Sequence, residues 1–138
     1  MKQYRLEGEH FLLTLEVKVF ESDVRYSSNT LMTVTVDSFG FCGSSIFDID
    51  VKQFGRFVRE LGQIYQTLSG AAEIREPWGE QFLAFEGNGR GHISVEGLVC
   101  PAGLHGFTQQ LRFENMVDQT CLREFAAELR ADFERYAK

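Results

Sequence analysis

Apolar and polar residues alternate along residues 10–20, HFLLTLEVKVF. Phe11, Leu13, Leu15, Val17 and Val19 share one face, while Leu12, Thr14, Glu16, Lys18 and Phe20 share the other. A period of two puts successive side chains on opposite sides of an extended backbone, so the segment predicts a half-buried strand. Residues 31–37, LMTVTVD, predict a second, with Met32, Val34 and Val36 pointing one way. Residues 39–49 predict a third, again with odd positions apolar, and Gly40 and Gly43 suggest a bulge or a close backbone approach.

The period then lengthens. Phe54, Phe57, Val58, Leu61, Tyr65 and Leu68 recur at helical spacing. Asp50 is a candidate N-cap, Gln53 completes a capping-box pattern, and Gly70 supplies a stop. Gly55 and Gly62 inside this helix each cost about 1 kcal/mol relative to Ala; close approach of the helix to a sheet would account for them. Residues 71–76 predict a short strand ended by Pro77-Trp78-Gly79. Residues 80–86 and 91–99 predict a hairpin around Gly87-Asn88-Gly89-Arg90, because Asn-Gly suits a turn with positive φ. A last strand is predicted over 106–114, with Phe107, Gln109, Leu111 and Phe113 on one face. A final helix follows over about 118–136, with Leu122, Phe125, Ala126, Leu129 and Phe133 as its apolar stripe.

Short links between strands imply antiparallel pairing, and two helices are too few to cover both faces of a parallel sheet. The reading is one α+β domain over 1–138: a mostly antiparallel curved sheet or small β-sandwich of about seven strands, with one central and one C-terminal helix. Thirteen Phe would fill a packed core or, alternatively, line a ligand cavity.

Composition narrows the partner. Net charge is −6, with net −2 over residues 1–69 and net −4 over 70–138. Nucleic acid and anionic membrane are poor partners for such a chain, since both need clustered Lys and Arg. A basic protein is the partner such a charge attracts. No apolar run approaches a membrane span, and residues 1–7 lack a signal-peptide core. Cys42, Cys100 and Cys121 are odd in number and have no C-x-x-C spacing. That argues against a disulfide framework or a zinc site and for small buried thiols in a reducing, cytoplasmic setting.

No catalytic constellation emerges. His10, His92 and His105 lie in different elements, and no G-x-S-x-G elbow exists. Asp48 and Asp50 could pair, but Asp50 is better explained as a cap. Gly87–Gly91 lacks the Lys and the helix of a phosphate loop. No cofactor or metal is implied. The Glu124, Glu128, Asp132 and Glu134 face of the last helix is interleaved with Arg123, Arg130 and Arg135, as in a solvated helix. The loop E-P-W-G-E stands apart: Glu76 and Glu80 flank Trp78, the single tryptophan, and an aromatic anchor rimmed by carboxylates suits a basic partner. These three residues are the candidate binding site.

The stretches FLLTLEVKVF, LMTVTVDSFGFCGSSIFDIDVKQFGRFVRELGQIYQTLSGAAEI, GHISVEGLV and LRFENMVDQTCLREFAAELRADFERY together resemble the bacterial WapI-type immunity proteins. Leu111 to Leu122 is the most distinctive part. The resemblance implies a non-catalytic intracellular antitoxin that neutralises a cognate toxin domain by binding it. Two other classes fit the residues alone: a homodimeric secretion-type chaperone or scaffold, and a small-ligand binder.

Overall fold

The computed structural model describes residues 1–103 and 105–137. Eight strands form two four-stranded sheets, and all the neighbouring strands in them pair antiparallel. The first sheet is β1 (Tyr4–Gly8), β2 (Phe11–Val19), β3 (Thr30–Ser38) and β4 (Phe41–Ile49), in that order. The second is β5 (Ser69–Arg75), β6 (Phe82–Asn88), β7 (His92–Val99) and β8 (Leu111–Asp118). Helix α1 (Val51–Thr67) joins the sheets, and α2 (Gln119–Phe133) with a 3-10 turn (Glu134–Tyr136) ends the chain.

Most of the alternating faces are as the pattern predicts: Leu13, Leu15, Met32, Val34, Val36, Phe47 and Ile49 are buried, as are Phe54, Phe57, Val58 and Leu61 of α1, whereas Phe41 is exposed and Tyr65 and Leu68 are half-buried. The two sheets meet along β8. Its inward residues cross the strand ends of the first sheet: Leu111 lies against Gly43 of β4, Phe113 against Phe11 of β2, and Val117 against Gly8 of β1. Asn115 donates to Ser38 Oγ of β3 at 2.7 Å. Elsewhere the helices fill the wedge between the sheets. Tyr4 packs edge-on against Phe133, and Phe85 lies between Phe57 and Phe125. Phe47, Phe54, Phe57, Phe85 and Phe125 are fully buried, so these rings fill the core.

Several expectations change. There are eight strands, because β1 was not anticipated: only Tyr4 and Leu6 carry its pattern. The last strand covers 111–118 and not 106–114. Phe107 continues the alternation in sequence but is exposed in a loop, while Asn115, polar yet inward-facing, hid the strand's true extent. Residues 39 and 40 form a two-residue turn between β3 and β4, and the close approach is at Gly43, where a Cβ would sit 3.1 Å from Leu111. Asp50 caps α1 by accepting from Lys52 N, but Gln53 donates to Arg75 O, so no capping box forms. The helix stops at Thr67, with Leu68 at φ 63° as its C-cap, two residues before Gly70. Gly55 and Gly62 admit the C-terminal turn and Arg130, not a sheet; a Cβ on Gly55 would stand 2.6 Å from Ala137 N. All three cysteines are free, but none is buried: Cys100 and Cys121 are half-buried, and Cys42 is exposed, since even positions of β4 point outward.

Candidate acidic surface and the loop beside it

The outer face of the second sheet carries a cluster of exposed carboxylates. Strand register fixes it. Arg75, Phe82, Leu98 and Arg112 form one row across β5–β8; Glu73, Ala84, Glu96 and Glu114 form the next; Ala71, Glu86, Ser94 and Met116 form a third. Four exposed carboxylates therefore share this face: Glu73 and Glu96 flank Ala84, Glu86 lies two residues along β6, and Glu114 stands beyond Glu96. Arg75 bonds Glu73 at 2.8 Å and lies over the Phe82 ring, as Arg112 also does. Among the described residues no cation pairs with Glu86, Glu96 or Glu114.

Glu96 and Glu114 are directly opposed. Gln119 N donates to Gly91 O, which makes the odd residues of β8 the ones bonded to β7. Glu96 and Glu114 then occupy a non-hydrogen-bonded position, where Cα atoms come to about 4.5 Å and like charges repel. The sequence contained the signal for this face: each of these glutamates follows an inward residue (Ala72, Phe85, Val95, Phe113). What sequence reasoning missed was the register that brings them together.

The β5–β6 connection closes one end of this face, next to the Arg75–Phe82 pair. Trp78 is 91% exposed there, and Glu80 is exposed beside it. Glu76 behaves differently. Its Oε2 accepts from Asp48 N of β4 at 2.9 Å, and both its oxygens lie 3.3 Å from Gln81 Nε2. Gln81, 3% exposed, also donates to Ile46 O and accepts from Cys100 N, both at 2.9 Å. Glu76 thus serves the joint between the sheets, while Trp78 and Glu80 are left to solvent. Sequence reasoning also missed Gln81, because its partners are 19 and 35 residues away.

The other candidates stay apart. Asp50 is the cap of α1 and also accepts from Asn29, while Asp48 accepts from Ser28. His10 and His92 are exposed, near Glu9 and Asp118 respectively, and His105 is exposed in the loop before β8. Among the described residues no group of three His, Cys, Asp or Glu side chains is placed to hold a metal ion. No helix is long and apolar enough to cross a membrane. On α2, Arg130 bonds Glu134 at 2.7 Å, and Asp132 accepts from Lys2 and Tyr4 at 2.8 and 2.6 Å. The Lys2 hydrogen bond, then that of Tyr4, holds the Asp132 carboxyl below its ordinary pKa. Burial, reinforced by Asp132, pushes the Tyr4 phenol up.

No curated protein matches the chain. The sequence model of the immunity protein WapI-like family matches residues 5–137, nearly the whole length, and the chain therefore belongs to the WapI-like immunity protein family.

Proposed function

We propose that this protein is the immunity partner of a toxin domain, which it neutralises by binding and covering a basic surface. Family membership carries the immunity reading. The carboxylates of Glu86, Glu96 and Glu114, which no cation pairs among the described residues, with the exposed Trp78 at the end of the same face, support a docking surface there. The mechanism needs no bond-making. Long-range attraction between an acidic face and a basic toxin speeds encounter, and a buried aromatic anchor slows dissociation. A retained like-charge pair is consistent with selection for a partner over selection for stability, since Glu96 opposite Glu114 weakens the sheet that holds it. The reading places the protein in the cytoplasm, where it would meet the toxin of its own cell. Of the three residues singled out by sequence, Trp78 and Glu80 belong to this surface and Glu76 supports the loop behind them.

The test is coexpression with the toxin domain encoded beside the gene. Growth should be rescued, and the two chains should elute as one complex on size exclusion. Failure of both would sink the reading. A homodimer with no affinity for that toxin would favour a scaffold instead.

A further inference from the structure

From the free edge of β8 we infer how the partner is held: an extended segment of the toxin adds to the second sheet as a fifth strand. This rests on the immunity reading above and adds the binding mode and the chemistry of the bound segment.

The other three sheet edges are each met in part by other elements. Strand β1 lies under α2, pinned where Asp132 accepts from Tyr4. Two outward groups of β4 meet side chains: Asp48 N donates to Glu76, and Ile46 O accepts from Gln81. The outward carbonyls of β5 at Arg75 and Ser69 accept from Gln53 and Thr67. In β8 the even residues turn their N–H and C=O away from β7, by the parity that Gln119 N to Gly91 O sets. Among the described residues no side chain hydrogen-bonds the backbone of Arg112, Glu114 or Met116 at that edge. An uncapped edge is a template for a further strand.

The surroundings specify what would add. Beside this edge is a cleft of about 260 Å³ lined by Ser38, Phe39, Phe41 and residues 111–114. Phe39 and Phe41 are 63% and 68% exposed. Phe39 and Gly40 are the two residues of the β3–β4 hairpin turn, at φ 51° and 88°. Such a turn favours Asn or Gly at its first position, and an aromatic residue there is strained. The strain keeps an aromatic wall beside an open edge. An added strand alternates its side chains between the two faces of the sheet. Those on the inner side would enter the cleft against Phe39, Phe41 and Phe113. Those on the outer side would stand beside Glu114, with Glu96 behind it. The fitting segment therefore alternates apolar with basic residues.

The experiment uses the full chain and the toxin domain encoded beside its gene. Hydrogen exchange at the amides of Arg112, Glu114 and Met116 should slow at least tenfold in the complex. Glu114→Pro removes an outward N–H, which an edge strand tolerates, and should weaken binding at least tenfold more than Glu114→Gln, which removes only the charge. Phe39→Asn should weaken binding about tenfold while raising the thermal midpoint, so lost binding cannot be ascribed to misfolding. Unchanged exchange at β8 in a complex that still forms, or wild-type affinity in Glu114→Pro and Phe39→Asn, would overturn the strand-addition mode and leave the immunity reading intact. A wild type that forms no complex overturns both. A dimer of the protein alone with protected β8 amides would give the edge to a second copy and also overturn the inference.

Discussion

Strands β4 and β8 are both edge strands, and they are finished in opposite ways. The outward N–H of Asp48 and C=O of Ile46 are met by Glu76 and Gln81, which stand in for a neighbouring strand. The outward groups of β8 have no such substitute among the described residues, and an exposed pair of phenylalanines lies next to them. The same backbone chemistry is capped at the Ile46–Asp48 end of one edge and left available along the other. An open edge invites aggregation, so leaving one beside a strained aromatic turn is a cost that the proposed partner binding would offset.

Removing the stand-in gives the largest effect. Gln81→Ala would leave Ile46 O and Cys100 N without their partner in the joint between the sheets, and should cost about 3 kcal/mol by denaturant titration. It should also open the β4 edge and promote self-association, read by sedimentation. Retention of wild-type stability would mean that the β4 cap is ornamental and the contrast between the edges has no energetic basis.

A smaller change of opposite sign sharpens the comparison on the β8 side. Glu96→Lys turns a directly opposed like-charge pair into an opposite-charge pair and should raise stability by about 0.5 kcal/mol. The same variant should bind the toxin domain more weakly. Stabilisation with undiminished binding would separate the acidic face from function.

The smallest effect concerns the edge covered by α2. Asp132 has a lowered pKa in the folded state, so its contribution is fully present above the unfolded value and is lost as pH falls through the folded one. The window lies below pH about 4, and partial exposure of the carboxylate keeps the effect modest. Asp132→Asn should be slightly less stable at neutral pH, and its stability should fall less than that of wild type on acidification. Parallel acid unfolding curves would show that Asp132 does not hold β1 to α2 electrostatically.

Much of the fold could be read from local pattern. Period-two alternation located β2, β3 and β4, and helical spacing with the Asp50 cap located α1, because those signals lie within a few residues. The second half of β8 escaped because Asn115, an inward residue, is polar and finds its partner Ser38 77 residues away. The site was legible in part. Trp78 stood out as a single aromatic between carboxylates, and it is exposed. Glu76 carried the same local signature, but a bond from Asp48 N, 28 residues away, and one from Gln81 draw it inward. The glutamates of the acidic face come from four strands, so only strand register makes them a surface. Phe39 continued an apolar alternation in sequence, whereas its positive φ places it in a turn.

The central claim is that an acidic face recruits a basic toxin domain. Its most direct test is the association rate with that domain as salt is raised, compared between wild type and the Glu96→Lys, Glu114→Lys double variant. The wild-type rate should fall steeply with ionic strength, and the double variant should associate about tenfold more slowly at low salt, with a flatter dependence. Equal rates and equal salt dependence for the two proteins would contradict the account.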